Sequence, residues 1–252
     1  MVILPSRRKN FVSQGGGGEN DPYWNNVVFL SRFDTSGAGR IFYDISSNPM
    51  TIAGAANVVL QTSSSPTSPK FGAGSIYFNN ISAAFATGLN NDGRFALTTQ
   101  EWTVEGWYYL TASTTSRLLF QTTFCRIIGI SASPGILNFQ TSANNFTNIV
   151  TIASNINVGT GTWKHIAVQR KNTVSSPVTG VYDAFVDGVR VGGTTSTISS
   201  AGSSGINLGG FAGTANSYPH LLDELRVSTG IARYPTGVGA SFSPPTAPYP
   251  SQ

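Results

Sequence analysis

Two glutamates, Glu101 and Glu105, stand four positions apart in the segment EWTVE. Glycosidases use such paired carboxyl groups to protonate a leaving oxygen and to attack the sugar. Side chains alternate along a strand, so both glutamates would share one face with their Cα atoms about 13 Å apart. A retaining glycosidase needs carboxyl groups about 5 Å apart, which only a bulge could achieve here. We favour the alternative, in which Glu101 lies in the entering loop and Glu105 faces solvent or pairs with a base.

A histidine, His165, stands in the β-prone segment TWKHIAVQR. Alternation places it on one face of a strand with Trp163, while Ile166 lies on the other. Both faces carry apolar residues, so both are expected to be covered. We therefore expect a packed, hydrogen-bonded histidine and not a catalytic one. Nothing in the sequence pairs His165 with the second histidine, His220.

The sequence carries no motif for a nucleophilic serine, a zinc protease or a phosphate-binding loop. Its single cysteine, Cys125, excludes an intramolecular disulfide, and its apolar flanks predict a buried thiol. Only 10% of the residues are charged, so Ser, Thr, Asn and Gly must form much of the surface. This composition is typical of β-rich extracellular or virion proteins, and we expect no enzymatic activity.

The formal net charge of +4 and the pI of about 9.3 raise the question of nucleic-acid binding. Three bases, Arg7, Arg8 and Lys9, lie in the first twenty residues with one acid, Glu19. The remaining twelve bases and ten acids form no basic stripe, which argues against nucleic acid as a partner. We expect Arg7, Arg8, Lys9 and the nearby Phe11 to form an assembly arm that docks on another protein.

The chain divides into an arm and linker (1–22), a β-rich domain (23–243) and a Pro-rich tail (244–252). The arm ends in GGGGEN, a flexible composition that we expect to be ordered only against another subunit. Short β-prone runs separated by turn residues follow, and Asp187-Gly188 predicts a type I′ hairpin. No apolar run is long enough to span a membrane, and no secretion signal is recognisable.

The segment GGFAGTANSYPH offers the groups that a saccharide needs. Phe211 and Tyr218 could stack on sugar faces, and Asn216 could bond hydroxyl groups. Trp107, Tyr108 and Tyr109 are a second aromatic source, but strand aromatics are needed as core in a sandwich of this size. We therefore place the predicted glycan-binding site at Phe211, Asn216 and Tyr218.

Six segments, in order, resemble the laminin G-like, concanavalin A-type jelly roll over residues 24–250. They are FDTSGAGRIFYDISSNPMTI, KFGAGSIYFNN, EWTVEGWYYL, TWKHIAVQR, AFVDGVRV and LLDELRVSTGIARY. The resemblance implies an all-β, antiparallel two-sheet β-sandwich. Glycosidases of this fold place a third acid between their pair, where this chain has Thr103. The family's Asp-Gly after the Phe is Asn79-Asn80 here, which removes an acid from that loop.

The same resemblance implies a Ca²⁺ site at the edge of the sandwich. Asp44 in YDISSN and Asp223 in LLDEL match acidic positions of the family, and oxygen ligands suit Ca²⁺. Alternatively, Asp44 caps its own turn by accepting a hydrogen bond from a backbone N–H two residues on. Calcium is thus the one cofactor suggested, with structural turns as an equal alternative.

With its Ser/Thr/Asn-rich, cysteine-poor composition, this chain resembles the laminin G-like domains of bacteriophage structural proteins. The resemblance implies a head decoration, fibre or tail adhesion module that touches host-surface polysaccharide. Its partners would be other virion proteins and further copies of itself, attached through the arm. It would be made in the host cytoplasm and reach the virion surface without a signal peptide, because lysis releases it. The alternatives are a free carbohydrate-binding lectin and a glycoside hydrolase of this fold.

Overall fold

The computed structural model describes most of the chain after the first twenty residues. The described ranges are 21–37, 41–46, 50–54, 58–79, 86–88, 94–95, 99–112, 117–122, 124–129, 133–142, 149–173, 179–197, 205–210 and 219–250. No helix within these ranges is long and apolar enough to cross a bilayer.

Antiparallel strands dominate the described chain, with one short 3-10 helix at Trp24–Asn26. The strands are β1 (Val27–Ser31), β2 (Ser36–Gly37), β3 (Ile41–Tyr43), β4 (Thr51–Gly54), β5 (Val58–Gln61), β6 (Ser75–Phe78), β7 (Ala86–Gly88), β8 (Trp102–Leu110), β9 (Arg117–Gln121), β10 (Cys125–Gly129), β11 (Ile136–Ser142), β12 (Ile149–Asn157), β13 (Trp163–Asn172), β14 (Gly180–Val186), β15 (Val189–Ser196), β16 (Ile206–Leu208) and β17 (His220–Thr229).

The strands form two sheets. The first has the order β15-β14-β13-β8-β17-β6-β5, and β1 pairs with the later part of β17. The second has the order β12-β11-β10-β9-β16-β7-β4-β3-β2. Neighbours in each sheet are often distant in sequence, as in a jelly roll. The predicted antiparallel two-sheet sandwich is thus confirmed.

One core lies between the two sheets, built by the alternating residues of the facing strands. In β8 the residues Trp102, Val104 and Tyr108 point inward and are buried. Phe120 and Phe139 of the second sheet are fully buried in the same cluster. Large aromatic fillers suit the space of about 10 Å between packed sheets.

The outer face of the first sheet is also covered. The segment after β17 runs back across β8, β13 and β14, where Phe242 contacts the rings of His165, Phe185 and Tyr234. Tyr249, within the predicted Pro-rich tail, is 2% exposed and packs with Val27 and Leu30. The expectation that both faces of the His165 strand are covered is therefore confirmed, and the tail is part of the folded domain.

Two local expectations are confirmed as well. The turn between β14 and β15 has φ of 49° at Asp187 and 76° at Gly188, as a type I′ hairpin requires. A Cβ at Gly188 would lie 2.0 Å from the carbonyl oxygen of Phe242, so the close approach of the segment after β17 also demands glycine. Cys125 is free and buried, and burial raises the pKa of its thiol above the usual range.

Candidate functional site

Glu105 lies at the centre of a buried polar cluster beneath the tail. Its Oε1 accepts hydrogen bonds from Arg226 Nε at 3.0 Å and Nη2 at 2.8 Å. Its Oε2 accepts hydrogen bonds from the hydroxyl groups of Tyr234 and Tyr249 and lies 3.4 Å from His165 Nε2. Burial raises the pKa of Glu105, but the charge of Arg226 and the His165 contact outweigh burial and lower it far below the usual range.

Asp21 completes this cluster from the other end of the described chain. Its carboxylate pairs with Arg226 at 2.8 Å and with Arg233 at 3.0 Å. Two carboxylates thus face two guanidinium groups, and every one of these side chains is nearly inaccessible. Buried charges are tolerated when they are paired in this way. The cluster therefore joins the first described residue, the central strands and the tail.

The proposed catalytic pair does not form. Glu105 is 1% exposed, so substrate cannot reach its carboxylate. Glu101 accepts hydrogen bonds from the backbone amides of Asn172 at 3.1 Å and Ala232 at 3.3 Å. Each glutamate has the structural role that we favoured from the sequence. His165 is likewise fully buried, with its Nε2 2.9 Å from the Tyr249 hydroxyl, so it is a packing residue.

Asp44 closes its own loop. Its Oδ1 accepts hydrogen bonds from the amides of Leu30 at 3.0 Å and Ser46 at 2.9 Å, and its Oδ2 from Met50 at 3.1 Å. Arg94 pairs with the same carboxylate at 3.1 Å. Burial raises the pKa of Asp44, and the amide bonds partly oppose the rise. The turn-capping alternative for Asp44 is thus confirmed.

Asp223 anchors a different loop, the segment between β5 and β6. Its Oδ2 accepts hydrogen bonds from the amides of Lys70 at 2.9 Å and Phe71 at 3.1 Å, and its Oδ1 from Glu224 at 2.8 Å. Within the described ranges, no three His, Cys, Asp or Glu side chains gather as a metal-binding group. The Ca²⁺ site at Asp44 and Asp223 stays a prediction, and both carboxylates already bind backbone amides.

The remaining predicted residues lie outside the described part of the chain: Arg7, Arg8, Lys9 and Phe11 in the arm, and Phe211, Asn216 and Tyr218 in the loop before β17. That loop ends at Pro219, whose carbonyl oxygen accepts hydrogen bonds from the amide and hydroxyl of Thr111. Thr111 directly follows β8. The predicted loop therefore returns to the sheet at the end where Tyr109 lies.

At this end, three aromatic residues form what we call the aromatic row: Tyr77 of β6, Tyr109 of β8 and Trp163 of β13. Tyr77 and Tyr109 are both in register with Leu221 of β17, and Trp163 is in register with Tyr109. The strand neighbours of Tyr77 and Tyr109 point into the core, and Trp163 lies on the face opposite to the core residues Ile166 and Val168 of its strand, so all three rings lie on the outer face. Each is partly exposed, and at three strand spacings the row spans about 14 Å.

The loop between β5 and β6 borders the aromatic row. Trp163 Nε1 donates a hydrogen bond to the carbonyl oxygen of Ser68 at 3.1 Å, and the rings of Trp163 and Tyr109 meet edge to face at 5.8 Å. The Lys70 ammonium lies 3.8 Å from the ring centre of Trp107, a cation–π contact. The described part of this surface thus combines apolar rings, the Ser68 carbonyl group and the Lys70 ammonium.

Sequence reasoning named Tyr109 only as a secondary source of aromatics and did not propose Tyr77, Trp163 or Lys70. The signal was the alternation in GSIYFNN, WTVEGWYYL and TWKHIAVQR, which places Tyr77, Tyr109 and Trp163 on the faces opposite to the core residues of their strands. To see that the three residues form a row, one must know the register of four strands. No single segment of the sequence contains that information.

Comparison with known proteins gives one family and one fold. Residues 81–233 match the Laminin_G_3 model, described as the concanavalin A-like lectin/glucanases superfamily. No curated protein sequence matches the chain.

Similar solved structures include the binding domain of Paraclostridial Mosquitocidal Protein 1 (13% identity, TM-score 0.59, 82% of this chain and 49% of that one). The receptor binding domain of botulinum neurotoxin D is also similar, with 10% identity and a TM-score of 0.60, over 84% of this chain and 51% of that one. A third is Domain 4 of AbnA, a GH43 extracellular arabinanase from Geobacillus stearothermophilus, in complex with arabinotriose. It shares 17% identity and a TM-score of 0.56, over 86% of this chain and 94% of that one. The chain spans about half the length of the two toxin domains. At these identities the likeness establishes a shared fold.

Proposed function

The chain belongs to the concanavalin A-like lectin/glucanases superfamily, and we propose that it is a non-enzymatic saccharide-binding module of a bacteriophage particle. Its ligand is a polysaccharide of the host surface, and its arm attaches it to other virion proteins. The observation that carries the proposal is the aromatic row, Tyr77, Tyr109 and Trp163, on the outer face of the first sheet.

Aromatic rings on a sheet suit saccharides for a physical reason. The C–H groups on one face of a sugar ring are apolar and slightly positive, and the face of an aromatic ring is slightly negative. A row of about 14 Å presents several rings in sequence to an extended chain. The carbonyl oxygen of Ser68 lies beside the row and, besides the Trp163 indole N–H, has a second lone pair for a hydrogen bond from a sugar hydroxyl group.

The polar groups support binding in preference to hydrolysis. The acid that a glycosidase would use, Glu105, is buried and ion-paired, and Glu101 holds two backbone amides. A general acid must contact the oxygen that it protonates. The fold is shared with one domain whose name states binding, with one whose name states receptor binding and with an arabinanase domain in complex with arabinotriose, which agrees with a binding role.

The virion assignment rests on composition and on the arm. Charged residues make up 10% of the chain, and the arm combines Arg7, Arg8, Lys9 and Phe11 with a Gly-rich linker. Basic and aromatic groups beside a Gly-rich sequence suit docking on an acidic neighbouring subunit. The protein would then lie on the virion surface as repeated copies, which raises the avidity of individually weak saccharide contacts.

A glycan array probed with the full chain tests saccharide binding, with Trp163→Ala as the variant. Tyr23→Ala is the matched control, because Tyr23 is an exposed aromatic outside the row. We expect the wild type and Tyr23→Ala to bind the same glycans and Trp163→Ala to lose them. Absence of any bound glycan, or equal binding by Trp163→Ala, would contradict the proposal.

Attachment is tested separately with a chain that lacks residues 1–20. We expect it to bind the same glycans and to fail to assemble on particles that are otherwise complete. A free lectin, the alternative function, would need no arm. If purified particles never contain the full chain, the virion assignment is wrong and the lectin alternative stands.

A further inference from the structure

Lys70 brings a positive charge to the border of the aromatic row. Lys70 is partly exposed, with its ammonium 3.8 Å from the Trp107 ring centre and 5.4 Å from that of Phe71. Its backbone is fixed, because the amides of Lys70 and Phe71 donate hydrogen bonds to the buried Asp223 carboxylate. Two residues earlier, the carbonyl oxygen of Ser68 binds Trp163 of the row. The ammonium is therefore held near the row by the fold.

No acid within the described ranges forms an ion pair with Lys70. The two acids that act on it from a longer distance are Asp187 and Asp223. Asp187 is already paired with Lys164, whose Nζ lies 2.7 Å from its Oδ2. Asp223 already accepts hydrogen bonds from the backbone amides of Lys70, Phe71 and Glu224, so its carboxyl group is engaged by the backbone and not by the Lys70 ammonium. Among the described residues, Lys70 therefore has no acid dedicated to it as an ion-pair partner.

An ammonium without a counter-charge is costly at a partly buried position. Burial lowers the pKa of Lys70, which means that the charged form is already poorly solvated there. The face of the Trp107 ring offers only partial compensation. An anion on the exposed side of Lys70 would supply the missing charge and would lie next to rings that stack on sugars.

We propose that the saccharide bound at the aromatic row is acidic, and that Lys70 binds its carboxylate or sulfate group while Tyr109 and Trp163 stack on its sugar rings. This inference rests on the proposed saccharide-binding function. It assigns the ligand class to polysaccharides with uronate, sialate or sulfate groups. Lys70 selects the ligand by its charge, and the rings provide stacking that neutral sugars would share.

The experiment uses the full chain on an array that holds acidic glycans together with neutral glycans of matched backbones. The variant is Lys70→Met, which removes the charge and retains the stem over Trp107. The control is Lys171→Met, an exposed lysine of β13 away from the row. We expect binding to acidic glycans only, weakened about tenfold or more in Lys70→Met and unchanged in Lys171→Met. Lys70→Arg, which keeps the positive charge, should retain most of the binding to acidic glycans.

Three outcomes decide the inference. Binding that is confined to acidic glycans and depends on Lys70 supports it. Binding of neutral glycans with Lys70→Met equal to the wild type overturns it and leaves the saccharide-binding function intact. Binding of no glycan overturns both. Unfolding of each variant by urea shows whether a loss of binding reflects lost structure, and Lys70→Arg serves as the folded comparison.

Discussion

The Tyr249 hydroxyl donates a hydrogen bond to Glu105 Oε2 at 3.2 Å, across 144 positions of sequence. The backbone amide of Tyr249 donates to Glu224 Oε2 at 2.8 Å, and the Arg226 guanidinium lies 3.9 Å from the centre of its ring. One tail residue thus contacts the two central strands β8 and β17. The tail is fastened to the outer face of the first sheet by polar contacts as well as by burial.

Tyr249→Phe should lower the free energy of unfolding by about 1–3 kcal/mol, because a buried carboxylate and a buried histidine each lose a hydrogen-bonding partner. Equilibrium unfolding in urea measures the change. Tyr23→Phe is the control, since Tyr23 is 39% exposed and should change stability by less than about 0.5 kcal/mol. Equal stability of the two variants would show that the tail contributes little.

Glu105→Gln should destabilise the fold by about 3–5 kcal/mol, because Arg226 and Arg233 would then share only the Asp21 carboxylate in a buried site. Glu101→Gln should cost less, since Glu101 is only half-buried and bonds two amides. Thermal and urea unfolding compare the two. A fully stable Glu105→Gln protein that had lost a hydrolytic activity would contradict the structural role.

Stability should be greatest in mildly acidic solution, near about pH 5. Burial raises the pKa of Asp223 to about 8 and that of Glu224 to about 7, so the stabilisation of their protonated forms is lost as the pH rises through 7 and 8. The pKa of Glu105 is lowered, so its contribution is present above the unfolded value of 4.5 and is lost as the pH falls. Melting temperature measured from pH 3 to pH 9 checks this.

Glu224→Gln removes one of the two groups that titrate on the alkaline side. The decline in melting temperature between about pH 5 and pH 8.5 should be shallower in this variant than in the wild type. Lys171→Gln, a surface change, should leave the slope unaltered. A wild-type melting temperature that rises steadily to pH 8 would show that both carboxyl groups are ionised in the folded protein at neutral pH.

The local features of the fold could be predicted from the sequence. The hairpin depends on the adjacent residues Asp187 and Gly188, and the apolar residues beside Cys125 and His165 indicated that both side chains are buried, although distant residues such as Tyr249 cover His165. The cap at Asp44 depends in part on Ser46, two residues on. Short-range patterns indicate these features, so a single segment contains enough information to predict them.

Alternation failed as a guide in β17, where LLDELRVS contains a bulge. Glu224 adopts φ of 50°, and the register shifts between Asp223 and Arg226. Leu222 and Leu225 therefore both face the core, although three positions separate them. A bulge adds one residue and reverses the faces that follow it. This shift points Arg226 outward to Glu105 and could not be read from the pattern.

The aromatic row and the covering tail could not be predicted for a related reason. Both depend on contacts between distant segments, such as Tyr77 with Leu221 and Tyr249 with Glu105. The composition of the tail indicated an extended chain, and the aromatic strands indicated a core. The register between neighbouring strands decides which aromatic residues lie side by side on the outer face of the sheet.

Calorimetric titration with the strongest glycan from the array tests the central claim most directly. The proteins are the wild type, Tyr109→Ala/Trp163→Ala in the row, and Phe211→Ala/Tyr218→Ala in the loop that the sequence favoured. We predict that the row variant binds at least about tenfold more weakly than the wild type while it still unfolds cooperatively. Wild-type affinity in the row variant, with binding lost in the loop variant, would contradict the account and place the ligand at the loop.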